Sequence, residues 1–124
     1  MPRPVARSIA LAACAAAVLA SPALAQAPSG ETLFKQQCGV CHSIAQAPGK
    51  MGPPLKGVVG RKAGTLPGYV YSPAMKGYGV TWDAGKLETY LAKPTATVPG
   101  TKMMIGAANP AQRSAIIAYL ATQK

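Results

Sequence analysis

Cys38-Gly39-Val40-Cys41-His42 is the stretch that decides how the rest of this chain reads. Two thiols separated by two residues, with an imidazole directly after the second, admit four chemistries. A structural zinc ion needs four protein ligands, and the only other cysteine or histidine of the chain is Cys14, in a segment read below as removed. A thioredoxin-like dithiol shares the Cys-x-x-Cys spacing but sits beside a strand-helix-strand pattern, which this chain lacks. A plain disulfide leaves the only histidine, placed immediately after Cys41, without a reason. Haem c uses every part: each thiol adds to one vinyl group, and the next residue's imidazole lies under the iron. The motif points to one covalently attached haem, with Cys38 and Cys41 as its anchors and His42 as an axial iron ligand.

Upstream of the motif, Arg3 and Arg7 precede an alanine-rich apolar stretch from Ser8 to Leu19 that ends in Ala23-Leu24-Ala25. Charge, apolar core and small-residue site are the parts of a secretory signal peptide. The apolar stretch is shorter than the roughly 20 residues a spanning helix requires. Leu11-Ala12-Ala13-Cys14 resembles the box before a lipid-bearing cysteine, but its use would leave too little apolar segment ahead of it. Residues 1–25 are therefore expected to be removed after Ala25, and residues 26–124 to form one domain exported to the periplasm.

Export leaves Cys38 and Cys41 in an oxidising compartment. The formal charge of the whole chain is +10, and loss of Arg3 and Arg7 lowers it by two, against only Glu31, Asp83 and Glu88 as acidic residues. So basic a surface favours acidic partners. Nucleic acid is not among them, because the lysines are scattered, aromatics are few and the chain is exported.

Between Pro48 and Pro73, proline and glycine recur without alternating apolar residues, so the middle of the chain reads mostly as loop. Three segments read as helices. The first runs from about Glu31 to Val40 and delivers the cysteines from its end. The second has Asp83 as N-cap, Leu87, Tyr90 and Leu91 at helical spacing, and Pro94 as its stop. The third is capped by Asn109, opens with Pro110, and carries Ile116, Tyr119 and Leu120 as an apolar stripe.

A domain of this size that is largely loop buries little apolar surface by itself, so a cofactor must supply part of its core. Imidazole on one side of the iron leaves a sixth position, for which Met51, Met75, Met103 and Met104 are the soft candidates. Methionine is more often a core filler than a ligand. Pro99-Gly100-Thr101-Lys102-Met103 distinguishes Met103, because a turn-forming segment far from His42 in sequence can wrap the haem and hold a sulfur in place.

Taken together, these features resemble the class I cytochromes c, in the group of mitochondrial cytochrome c and bacterial cytochrome c2. The resemblance spans Gly30 to Leu120 and rests, beyond the haem motif, on Gly30 and Phe34, Gly52-Pro53, Gly60-Arg61-Lys62, Pro67 to Tyr71, Trp82, Tyr90-Leu91, Pro94, Pro99 to Met103 and Ile117 to Leu120. It implies an all-α fold, with three main helices and long loops wrapped around one haem. The first and last helices would cross near Gly30 and Tyr119. Iron would be held by His42 and Met103. The carbonyl of Pro53 would accept from the second nitrogen of His42; Arg61, Tyr71 and Trp82 would meet the haem propionates; Tyr90 would approach the sulfur of Met103. Leu55, Leu91 and Tyr119 would mainly pack.

With both axial positions filled, the implied role is a monomeric single-electron carrier, with no catalytic residues. Its implied partners are redox complexes docked transiently through a basic face: a quinol-oxidising complex, a terminal oxidase or a dedicated dehydrogenase. Two other classes compete with it. An open sixth site would make a peroxidase or gas sensor, and permanent attachment would make an electron-outlet subunit of a periplasmic dehydrogenase. Several positions depart from the mitochondrial pattern. Ile105 replaces an aromatic, Met75 replaces an amide, the stretch from His42 to Pro53 is one residue shorter, and Gln37, Thr95 and Ala96 replace lysines around the exposed edge. Lys50 and Lys102 remain there. The docking face is expected to be weaker or differently centred.

Overall fold

Among the described residues the first helix opens where Ser29, in extended backbone, turns its Oγ to accept from the amide of Thr32 at 3.2 Å. That cap opens α1, Gly30–Leu33. The computed structural model describes residues 1, 2, 4 and 19–124; Arg3, Arg7, Cys14 and nearly all of the expected leader core lie outside them. From α1 the chain passes directly into a wider π-helical turn, Phe34–Cys38, in which the Gly39 amide donates to Phe34 O. The expected helix to Val40 therefore stops two residues early. Gly39 marks the change: a Cβ there would lie 2.5 Å from the Lys35 carbonyl, so only glycine fits the end of the wide turn.

The long middle is loop, as composition suggests, but it contains one helix that the sequence reading left out. That is α2, Pro73–Tyr78, bracketed by Ser72, whose Oγ caps the Met75 amide at 3.1 Å, and by Gly79 at φ 73°. Ser-Pro before and a left-handed glycine after are ordinary helix boundaries; six residues are too few for a periodicity to stand out. The neighbouring loop closes on itself through an antiparallel bridge between Lys62 and Thr81, with Trp82 N donating to Arg61 O and Ala63 N to Val80 O. No other strand pairing occurs among the described residues.

The second expected helix is α3, Ala84–Ala92, capped by Asp83 onto the Lys86 amide at 2.7 Å, with Leu87, Tyr90 and Leu91 buried. Pro94 ends it and at once begins a single further turn, α4, Pro94–Thr97. The last helix, α5, Pro110–Thr122, is capped by Asn109 and buries Arg113, Ile116, Ile117 and Leu120. Ile117 thus joins the stripe, while Tyr119 stays partly exposed.

α5 packs on both α1 and α3. At the first crossing, a Cβ on Gly30 would run into the carbonyl of Ala115 and approach Tyr119 Cβ to 2.9 Å, so the two backbones touch where glycine removes the side chain. Phe34 and Tyr119 then pack with ring centroids 5.6 Å apart. The architecture is the expected all-α fold, with short helices set around long loops. None of the helices among the described residues is long and apolar enough to cross a membrane.

Candidate functional site

The thiols and the imidazole leave the π-helical turn together. The amides of Cys41 and His42 both donate to Cys38 O, at 3.1 and 2.8 Å, which winds the motif into a tight turn. Gly52 N donates back to Cys41 O, Leu55 N to Ser43 O and Lys56 N to Ile44 O, so the segment 52–56 lies flat against 41–44. This brings the Pro53 carbonyl 2.8 Å from His42 Nδ1, which donates to it. That bond assigns the proton to Nδ1 and leaves Nε2 with a free lone pair. Gly52 lies against the ring itself, since any Cβ there would overlap the imidazole. Burial pushes the His42 pKa below its ordinary value, with the bond to Pro53 opposing, so the neutral ring that a metal requires is favoured.

Cys38 and Cys41 are half-buried and both are free thiols. Burial, and secondarily the neighbouring Cys41, pushes the Cys38 thiol up to about 11. A thiol so protonated is a poor thiolate nucleophile, which counts against a dithiol oxidoreductase.

The four methionines separate by environment. Met51 and Met104 are 74% and 72% exposed, and Met75 is buried in the core beneath α2. Met103 is half-buried at the margin of that core. Its loop is fixed ahead of it by Thr101, whose amide donates to Val98 O and whose Oγ1 accepts from the Met103 amide at 3.3 Å. The same Oγ1 shares a buried 2.7 Å hydrogen bond with the Tyr90 hydroxyl. The hydroxyl of Tyr90 is thus tied to Thr101, two residues before the sulfur it was expected to approach. Burial raises the Tyr90 pKa, keeping it protonated.

The residues expected at the propionates fall into two settings. Arg61 is half-buried and donates to Lys56 O and Pro54 O at 3.2 and 3.3 Å. Among the described residues no carboxylate pairs with it. Trp82 is buried, its ring packed between Tyr78 and Tyr90 at centroid distances of 5.8 and 5.2 Å. Tyr71 is half-buried with its ring edge-on to Tyr69 at 4.7 Å.

Four residues take parts that the sequence reading did not assign to them. Tyr69 donates its hydroxyl to Met51 O at 3.1 Å, while Lys102 lies 5.7 Å from its ring centroid and donates to Val70 O at 2.6 Å, joining the Met103 loop to residues 67–71. Thr101 lay inside the quoted loop, but nothing in Pro-Gly-Thr-Lys-Met says which neighbour its hydroxyl meets. Arg113 did carry a signal: it sits three and four residues before Ile116 and Ile117, a cation in the register of an apolar stripe.

Comparison with known proteins gives the family. Residues 27–124 match the family model described as cytochrome c. Cytochrome c2 of Rhodomicrobium vannielii is 52% identical over 97 residues, covering 76% of each chain. Cytochrome c of Sesamum indicum is 46% identical over 94 residues, covering 74% of this chain and 85% of that one. The solved structure of cytochrome cH from Methylobacterium extorquens superposes with a TM-score of 0.69 at 46% identity, covering 75% of this chain and 94% of that one. This chain belongs to the cytochrome c family. Its cofactor is one covalently attached haem c and its role is electron carriage. The residues present fit that group: free paired thiols, a neutral imidazole with Nε2 unengaged, and a half-buried thioether on a fixed loop.

Proposed function

We propose that Cys38 and Cys41 anchor the haem, that His42 Nε2 and the Met103 sulfur are its axial ligands, and that the mature chain, exported and cleaved after Ala25, carries single electrons between larger redox complexes of the periplasm. The observation that carries the ligand assignment is the Nδ1–H of His42 held by the Pro53 carbonyl at 2.8 Å above a glycine. This fixes tautomer, ring plane and basicity together. When bound, the haem supplies a one-electron couple between ferric and ferrous iron. The protein holds both axial donors on segments tied to the core, so little has to move when the charge changes. A soft thioether favours the ferrous state, and the expected potential is high and positive.

Arg61 would neutralise a haem propionate; in support, its guanidinium donates to two backbone carbonyls and, among the described residues, pairs with no carboxylate. Trp82, whose amide donates to Arg61 O, and Tyr71 would serve the same propionates, and Tyr90 would support Met103 through Thr101. The net positive charge suits transient docking to acidic patches on a quinol-oxidising complex, a terminal oxidase or a dedicated dehydrogenase.

The test is the visible spectrum of protein made in a host that attaches haem c, recorded oxidised, reduced, and reduced under carbon monoxide. Low-spin iron with a weak far-red sulfur-to-iron band, indifferent to carbon monoxide, is the expected result, and Met103→Ala should abolish the band and admit the gas. A wild-type protein that binds carbon monoxide readily would return Met103 to packing and make the chain a sensor or peroxidase.

A further inference from the structure

The loop that carries Met103 has a second anchor, on the side away from Thr101. Gly106 lies so close to Leu91 that any Cβ would collide with the Leu91 carbonyl, and the Ala107 amide donates to that same carbonyl at 2.8 Å. Arg113 then reaches from α5 and donates through Nη1 to Ala107 O at 2.8 Å and Ala108 O at 3.1 Å. Its Nε and Nη2 both donate to Glu88 Oε1 on α3, at 2.7 and 2.6 Å. The Arg113 side chain is only 9% exposed, whereas Glu88 is 40% exposed.

A guanidinium taken this far from water is costly unless its donors are met, and a buried ion pair contributes little net stability compared with apolar packing. What such a pair does supply is direction, because the planar fork fixes where its partners lie. Here the partners are two successive carbonyls at the far end of the Met103 loop. Between the two anchors Met104 and Ile105 are 72% and 81% exposed, so they contribute little packing to hold the loop down.

We propose that Arg113, braced by Glu88, is a positioning residue for the sixth iron ligand: by holding the carbonyls of Ala107 and Ala108 it keeps the Met103 loop closed. The inference rests on Met103 as an iron ligand.

The test uses the ferric holoprotein and the rate at which cyanide binds, since cyanide enters only when the thioether has left. Arg113→Lys keeps the cation and loses the fork; Ile117→Val removes a buried methyl group from the α5 core and keeps the fork. Arg113→Lys should speed cyanide association about tenfold, as expected for loss of charge-assisted hydrogen bonds, and should speed exchange of the Ala107 amide hydrogen. Ile117→Val should leave both nearly unchanged at matched native conditions. An unchanged cyanide rate in Arg113→Lys, or an equal acceleration in Ile117→Val, overturns the clamp. Wild-type protein that takes cyanide as fast as Met103→Ala overturns the ligation beneath it, a result that the unsubstituted protein alone reveals.

Discussion

The imidazole of His42 is held from two directions, and each implies a different sensitivity. From Pro53 comes an acceptor that fixes the tautomer; from Gly52 comes only the absence of a side chain. Gly52 has no need of a left-handed backbone, so Gly52→Ala tests space alone. The added methyl group would force the ring or the 52–56 segment to move, at about 1–3 kcal/mol. We expect a lower guanidinium midpoint together with a weakened far-red band, because with His42 as the proposed ligand ring and iron would shift together; an unshifted midpoint would mean that the segment yields freely. Thr101 is the second residue of this kind. Its hydroxyl meets both the Tyr90 hydroxyl, in a buried hydrogen bond, and the amide of half-buried Met103. Thr101→Val keeps the shape but leaves the Tyr90 hydroxyl without its partner, at about 1–3 kcal/mol. Denaturation should show that loss, and Tyr90→Phe in the same chain should recover part of it, since the stranded donor is then gone.

At the scale of elements, the crossing of α1 and α5 rests on one position. Alanine is the better helix former, worth up to about 1 kcal/mol over glycine inside a helix, yet at Gly30 it would strike the Ala115 backbone. Backbone cannot swing aside as a flexible side chain does, so the helices must separate and Phe34 must lose its packing on Tyr119. Gly30→Ala should therefore destabilise the protein by about 2 kcal/mol net; a urea midpoint at or above wild type would show that propensity wins. How far such elements were legible follows from what marks them. Asp83, Asn109 and Pro110 announce α3 and α5 because capping is local chemistry, and Gly30 was readable through the family resemblance. The π-helical turn and α2 were not, because the first replaces an expected α-helical turn and the second is too short for periodicity. At the site, the haem motif is contiguous and legible. The Arg113 fork is not, because its partners Glu88, Ala107 and Ala108 come from two other segments of the chain.

For the whole molecule, docking has to work with a basic chain in which, by the family resemblance, Gln37, Thr95 and Ala96 stand where lysines would line the exposed edge. Lys50 and Lys102, which remain, donate to Gly39 O and Val70 O at 2.5 and 2.6 Å, so their charges are held close to the backbone. Val40, Met104 and Ile105, near the thiols and the thioether in sequence, are all more than 70% exposed. Two ranges of force then divide the work. Net charge acts over the Debye length, about 30 Å at 0.01 M salt and about 8 Å at 0.15 M, and sets how often an acidic partner is met. Apolar contact acts only once the surfaces touch, and sets how long they stay together. Electron transfer to an acidic redox partner should therefore slow about tenfold across that salt range, the lower end of what electrostatic steering provides. Ile105→Ala should shorten the life of the complex at every salt concentration while leaving the slope against ionic strength as it was. A rate indifferent to salt would mean that the scattered lysines do not steer. A slope altered by Ile105→Ala would mean that charge and apolar contact are not separable at this surface. Stopped-flow measurement of both proteins across the same salt series decides between these outcomes.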